Sequence, residues 1–196
     1  MTDKNHSFAD PGPAGLMVLA FYLAALFAVL NNPANEALAG VLVGLGFAGG
    51  VVQLLAGLME LRNGAILPGN VMLAFCTFMF LGMFETLFKI LKWLPPNTAG
   101  LDGFIFLTMG VLMVGVTAGF LCKNLAAGLF MIFADIFFLS GAFGFLFHIA
   151  FLLTVFQWVL PPVILTIVWQ VVGDVNNGHF GRNVVGMGAP LCKAKQ

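Results

Sequence analysis

The sequence contains 196 residues, of which 61% are hydrophobic and 8% are charged. Soluble domains carry about half and about a quarter of these classes, so this composition predicts a membrane protein. The formal net charge is zero, which excludes the basic surface typical of a nucleic-acid-binding protein. The three cysteines, Cys76, Cys122 and Cys192, are odd in number and scattered, so we expect reduced thiols rather than a disulfide framework.

Six apolar runs are long enough to cross a membrane, because a hydrocarbon core about 30 Å thick needs roughly 20 helical residues. The runs lie at residues 14–30, 37–60, 68–88, 103–121, 125–146 and 149–172. The break at residues 144–148 carries no proline or charge, but an unbroken helix there would exceed one crossing, so we expect a tight hairpin. The sequence predicts an all-α membrane protein with residues 1–13 as an N-terminal tail and helix entrance and residues 173–196 as a C-terminal tail.

The orientation of the spans is predicted by the positively charged residues, which favour the cytoplasmic side. The side that contains both termini carries Lys4, Arg62, Lys123, Arg182, Lys193 and Lys195. The other side carries only Lys89 and Lys92. We therefore expect a multi-pass protein of the cell (inner) membrane with both termini in the cytoplasm.

The first span begins with a segment of distinctive backbone chemistry, Asp10 to Leu16. Asp10 can accept hydrogen bonds from the first helical turn, Pro11 suits the first helical position, and Pro13 is tolerated there. Gly15 leaves room for a neighbouring backbone or a ligand, and the positive end of the helix dipole favours a small anion. A capped helix start without a binding role is the alternative interpretation.

Three blocks of the sequence resemble the acetate uptake transporter family, whose members include the bacterial succinate–acetate permeases. Residues 10–16, Asp-Pro-Gly-Pro-Ala-Gly-Leu, are similar to the family signature Asn-Pro-Ala-Pro-Leu-Gly-Leu. Residues 53–60 resemble its Gln-x-x-Ala-Gly-x-x-Glu segment, and Gly173-Asp174 with Phe180-Gly181-Arg182 resembles its C-terminal signature. The resemblance implies six transmembrane helices per subunit, a hexamer, and transport of small carboxylate anions such as acetate and succinate.

The resemblance also implies an apolar constriction inside each subunit, formed by an aromatic residue, a tyrosine and a leucine. By position these fall on Leu19, Phe75 and Ala134, all of which differ from the family pattern. A packing role in a phenylalanine-rich bundle is the alternative for each. Asp10 stands where the family has Asn, and its negative charge would repel an anion, so we expect Asp10 to cap the helix without binding substrate.

Several polar residues lie inside or at the ends of the predicted spans. Glu60 and Arg62 suit a snorkelling pair at the membrane surface, whereas the family block implies an anion-path role for Glu60. Gln53 lies about 10 Å deeper, as an interhelical bond or a substrate donor. Glu85 and Lys89 are four residues apart, a spacing that predicts a surface ion pair.

Asp135 is the acid predicted to lie deepest in a span, about 16 Å from Asn124. A charge at that depth costs about 2.5–3.5 kcal/mol, so we expect Asp135 to face the bundle interior or a wet cavity. Beside a path, it would repel carboxylates when ionised and donate to them when protonated, which predicts pH-dependent flux. An interhelical hydrogen bond is the alternative.

Small residues and prolines predict how the helices pack and bend. Glycines four apart allow close helix contacts, and Pro161-Pro162 should bend the sixth span by freeing the carbonyls of Gln157 and Trp158. The glycine pairs with this spacing are Gly40/Gly44, Gly46/Gly50 and Gly115/Gly119.

The sequence contains no phosphate loop, paired metal ligands or serine–histidine–acid set, so we expect no cofactor, no metal site and no enzymatic activity. The expected partners are small carboxylate anions, the lipid bilayer and further copies of the chain. Two alternatives remain open. A membrane-embedded enzyme would need Glu60, Asp135 and His148 to act together from different depths, and a structural or sensory protein would need no polar path.

Overall fold

The computed structural model describes residues 9–192 of the chain. Within this range the chain is helical, without strands, and the helices are α1 (Gly12–Asn31), α2 (Glu36–Arg62), α3 (Ile66–Ile90), α4 (Ala99–Leu121), α5 (Leu125–Phe147), α6 (Ala150–Trp158) and α7 (Leu160–Phe180). The first five are each long and apolar enough to cross a membrane, and α6 with α7 provides a sixth crossing. The predicted six-span, all-α architecture is confirmed.

The connections between helices follow local sequence signals. Asn35 and Asn124 precede α2 and α5, and each side-chain oxygen accepts a hydrogen bond from the first turn of the following helix, at 3.2 and 2.8 Å. The weak break after α5 is a tight turn at His148, whose φ of 55° is left-handed, followed by a bond from the Ile149 N–H to the Gly144 carbonyl. The predicted hairpin between the fifth and sixth spans is confirmed.

The sixth crossing differs from the prediction in length and continuity. Helical structure continues to Phe180, so Gly173 and Asp174 belong to α7 and not to a C-terminal tail beginning at residue 173. The helix is interrupted at Val159, and the two prolines lie in the first turn of α7, where a missing N–H costs no helical hydrogen bond. The expected perturbation by Pro161-Pro162 therefore appears as a boundary between two helices.

The glycines of α2 contribute unequally to packing. A Cβ at Gly46 would lie 2.7 Å from the Met83 Cβ, and one at Gly50 would lie 2.9 Å from the Phe80 ring, so this pair allows α2 and α3 to approach closely. Gly40 and Gly44 have no neighbour within 4 Å among the described residues, and the same holds for Gly115. Close packing at these three positions therefore stays a prediction, which contacts within the described part of one chain do not fulfil.

After α7 the chain folds back over one end of the bundle. Gly181, with a φ of 61°, terminates the helix. Met187 accepts a hydrogen bond from the Ala126 N–H at 3.2 Å and packs against Gly173, where any Cβ would collide with its sulfur. The predicted tail at residues 1–8 and the lysines at 193 and 195 lie outside the described residues.

Candidate substrate path

One end of the bundle contains a cavity of about 440 Å³, here called the inner cavity. It lies between the N-terminal parts of α1, α3 and α5 and the C-terminal parts of α2, α4 and α7, as expected when successive helices alternate in direction. Its size and mixed lining are typical of small-molecule sites. Apolar and polar side chains line it, among them Leu16, Gln53, Glu60, Met72, Phe75, Phe120, Lys123, Phe130, Gln170 and Asp174.

Asp10 lies at the entrance of the inner cavity and also stabilises the start of α1. Its Oδ1 accepts a hydrogen bond from the Gly12 N–H at 2.8 Å, so the predicted capping interaction is present. The helix begins at Gly12, and Pro11 is the N-cap residue before it instead of the predicted first helical residue. The Pro11 carbonyl accepts hydrogen bonds from the N–H groups of Ala14 and Gly15. The Gly12 N–H, a first-turn donor that could have bound an anion, is thus already hydrogen-bonded to Asp10.

A second carboxyl group contacts Asp10 at this entrance. Glu60 is buried, with 7% exposure, and its carboxyl is in hydrogen-bonding contact with Asp10. A Cβ at Gly12 would lie within 2.9 Å of Asp10 Oδ1 and 3.1 Å of Glu60 Oε1. Glu60 therefore faces the cavity, which favours a role in the path over snorkelling at the membrane surface.

Lys123 provides the positive charge at the rim of the inner cavity. It interacts electrostatically with Glu60 on α2 and with Asp174 on α7. Asp174 also hydrogen bonds with Gln170, one turn deeper in the same helix. With Asp10 included, the described residues place three carboxyl groups and one lysine at the rim, so carboxyl groups outnumber ammonium groups there.

Two glutamine side chains lie deeper in the same cavity. Gln53 is fully buried, and its Nε2 donates to the Gly15 carbonyl at 2.8 Å, which links α2 to α1. Gln170 has 3% exposure. Among the described residues, Oε1 of Gln53 and Oε1 of Gln170 are buried acceptors without a hydrogen-bond partner. Gln53 thus makes the predicted interhelical bond, and the atom that remains available is an acceptor.

Gly15 brings α1 close to its neighbours. A Cβ there would lie 3.0 Å from the Met72 sulfur and 3.2 Å from the Ala56 Cβ. The room that the sequence predicted at Gly15 is therefore filled by two side chains of α2 and α3, while the Gly15 carbonyl holds Gln53.

The predicted constriction residues are all buried in the centre of the bundle. Leu19 is fully buried, Phe75 has 3% exposure and Ala134 has 2%. The Phe75 ring lies 6.1 Å from the rings of both Phe130 and Phe138. These two residues stand one turn on either side of Ala134, so α5 contributes aromatic rings where the family pattern implied a leucine.

A second cavity of about 340 Å³, here called the outer cavity, lies at the other end of the bundle. On α1 the inner cavity is lined by Leu16 and the outer one by Tyr22, with Leu19 between them. On α3, Phe75 lines the inner cavity and Phe78 the outer one, about 4.5 Å further along the axis. The two cavities are therefore separated by roughly one helical turn of apolar side chains.

The outer cavity contains a small polar network. Lys89 forms an ion pair with Glu85 at 2.5 Å, which confirms the predicted pair. The Thr98 hydroxyl lies 2.6 Å from Glu85 Oε1 and 2.8 Å from Asp102 Oδ2, so the start of α4 is joined to the end of α3. The Tyr22 hydroxyl approaches Gly82 in the same cavity, where a Cβ would collide with it.

Asp135 lies between two helices. Its Oδ2 accepts a hydrogen bond from Thr117 of α4 at 2.8 Å, and it lines neither the inner nor the outer cavity. Its Oδ1 is buried without a partner among the described residues. This position favours the interhelical hydrogen bond over a role beside the path.

The sequence did not single out several residues that line the cavities. Asp174 was noted only as part of a family signature, and Gln170, a polar residue inside the span predicted at residues 149–172, could have been found as Gln53 was. Phe130 and Phe138 share a helical face with Ala134, a spacing of four that could have identified them. Tyr22, the one tyrosine of the chain, lies one turn beyond Leu19 and could have been found in the same way.

Comparison with known proteins supports the fold. No protein-family profile matches the chain, and no curated protein matches it. Among solved structures, the bacterial acetate channel SatP matches with a TM-score of 0.82 and 24% sequence identity, over 92% of this chain and 99% of that one. The chain therefore has the fold of that channel, as the resemblance to the acetate uptake transporter family predicted.

Proposed function

We propose that the protein is a membrane channel or transporter for acetate and related small carboxylates. The observation that carries the proposal is the pair of cavities, which open towards opposite ends of a six-span bundle and are separated by one apolar layer. A fold shared with an acetate channel supports the same function. A structural or sensory protein would have no need for two cavities in line.

The apolar layer acts as the constriction of this path. Leu19 on α1 and Phe75 on α3 form two of its sides, and Phe130 and Phe138 contact Phe75 from α5. A solute must shed water to pass such a layer, so passage favours small substrates with little bound water. The polar groups in the cavities on either side compensate for part of that loss.

Further features of the proposal follow from the sequence. Both termini and the inner cavity face the cytoplasm, and the protein lies in the inner membrane. The chain assembles as a hexamer, for which Gly40 and Gly44 on an open face of α2 leave room for close contact. The inner cavity, at about 440 Å³, has space for succinate as well as acetate.

The experiment that tests the function is uptake of radiolabelled acetate into proteoliposomes that contain the purified protein. Assays are run at pH 6 and at pH 8, so that the supply of undissociated acetic acid differs between them, and protein-free liposomes at each pH supply the background for acid that crosses the bilayer unaided. We expect uptake above background that saturates with acetate concentration. Uptake equal to that of protein-free liposomes, from protein shown to be folded and inserted, contradicts the proposal and returns attention to the enzymatic and sensory alternatives.

A further inference from the structure

The unpartnered polar atoms of the inner cavity share one chemical character. Oε1 of Gln53 and Oε1 of Gln170 are both hydrogen-bond acceptors, and both residues are at least 97% buried where they line the cavity. Leaving a buried acceptor unsatisfied costs about 1–3 kcal/mol, so an occupant that supplies a donor is favoured.

The orientation of these two amides is set by their neighbours. The nitrogen of Gln53 faces the Gly15 carbonyl, which can only accept, so the amide cannot be reversed without placing two acceptors together. The amide of Gln170 meets the Asp174 carboxyl group in the same manner. In both amides the nitrogen is thus engaged and the carbonyl oxygen is left free.

The rest of the cavity disfavours an anionic occupant. Among the described residues, its rim carries the carboxyl groups of Asp10, Glu60 and Asp174, the ammonium group of Lys123 and the amide of Asn63. Its deeper wall includes apolar side chains, with Leu16 on α1 and, at the constriction, Phe75 on α3. An anion loses hydration there and meets three carboxyl groups at the rim, whereas a neutral molecule with one donor and an apolar end fits both surfaces.

We propose that the inner cavity binds its substrate as the undissociated carboxylic acid, with the acid O–H donating to Oε1 of Gln53 or Gln170 and the alkyl group against the apolar wall. This inference rests on the proposed function and specifies the form of the substrate that the site recognises. Acetate takes up one proton from hydronium in solution to form acetic acid before it enters the cavity, and the acid returns that proton to water after leaving.

Competition between two acetate analogues tests the proposal in the same proteoliposomes. Acetamide has the shape of acetic acid, is neutral and carries N–H donors, whereas trifluoroacetate stays ionised and has no donor. We expect acetamide to inhibit protein-dependent acetate uptake and trifluoroacetate to have no effect at equal concentration. If trifluoroacetate inhibits uptake, or if neither compound does, the proposal is overturned while acetate transport stands. Absence of acetate uptake at either pH contradicts the proposed function instead.

Two variants locate the interaction. Gln53→Met and Gln170→Met keep the side-chain length and remove the acceptor, so each should weaken inhibition by acetamide about three- to tenfold. Gln157→Met is the matched control, because the Gln157 amide bonds to Asn31 and lines neither cavity. If Gln53→Met does not fold, Gln170→Met carries the test. If acetamide inhibits acetate uptake by both folded glutamine variants as strongly as by the wild-type protein, acetamide acts elsewhere and the assignment is overturned.

Discussion

Truncation of Phe75 to alanine is the most direct test of the constriction. Phe75 is 3% exposed and contacts the rings of Phe130 and Phe138. Replacing a buried phenylalanine with alanine costs about 3–5 kcal/mol of stability, part of which comes from the cavity left behind. Because the Phe75 ring borders the inner cavity, the space it vacates joins that cavity instead of forming a closed void. We therefore expect a loss near the lower end, about 3 kcal/mol.

The same truncation should raise flux. The apolar layer between the cavities spans only about one helical turn along α3, so removal of one ring shortens the dehydrated part of the path substantially. A barrier lower by about 1.4 kcal/mol raises the rate tenfold, and we expect an increase in acetate flux of about three- to tenfold. Larger carboxylates such as butyrate should gain more than acetate, since they are hindered more by the ring.

The assay compares initial uptake of acetate and butyrate by wild-type protein and Phe75→Ala, after size-exclusion chromatography has shown equal assembly. Phe143→Ala is the matched control, because it makes the same chemical change at a residue that is 40% exposed and lines neither cavity. Equal flux and equal selectivity in correctly assembled Phe75→Ala would remove Phe75 from the path. An increase shared by Phe143→Ala would indicate general loosening of the bundle.

Three further predictions concern topology, an internal hydrogen bond and the C-terminal segment. Reporters fused before Met1 and after Gln196 should both behave as cytoplasmic, and opposite locations would contradict the orientation. Asp135→Asn should lower thermal stability and leave the pH dependence of acetate flux unchanged, because Asp135 bonds to Thr117 outside both cavities; a flattened pH profile would favour proton gating instead. Cys122 and Cys192 contact each other, and partial desolvation together with this contact raises the pKa of the Cys122 thiol. Copper phenanthroline, which removes two electrons as both thiol protons are released, should therefore form a Cys122–Cys192 disulfide faster as pH rises, while buried Cys76 stays reduced. Failure of peptide mapping to find this disulfide would contradict the packing.

The spans were predictable because bilayer thickness imposes one length on every crossing. The end of the sixth span was not, because polarity rises at Gly173 although the helix continues to Phe180. A polar stretch of helix is stable there because Asp174 faces a cavity and the returning segment bonds to Asn177, whose side chain contacts the backbone of Val184 and Val185. Hydropathy measures contact with lipid, and it cannot separate a helix that leaves the membrane from one that lines a cavity.

The contacts that define the site join residues far apart in the chain. Asp10 meets Glu60 across 50 positions, and Gln53 bonds to Gly15 across 38. Periodicity along one helix carries no information on which residues of another helix lie opposite. The resemblance to a family supplied part of that information, by bringing residues 10–16 and 53–60 to notice together, but it did not indicate that Asp10 and Glu60 touch.

Asp10 stands where the resembled family has Asn, and the two side chains differ in what they can recognise at the entrance. An asparagine at this position can donate through its amide and accept through its oxygen, whereas an ionised aspartate can only accept. Asp10 uses Oδ1 for the Gly12 N–H, and its contact with Glu60 brings a second group that lacks a donor when ionised. A hydrogen bond between two carboxyl groups requires one proton between them, so this pair adds acceptors to an entrance that already includes Asp174. Asp10 thus adds an acceptor to the cavity that holds the free oxygens of Gln53 and Gln170, as the proposed binding of an undissociated acid requires.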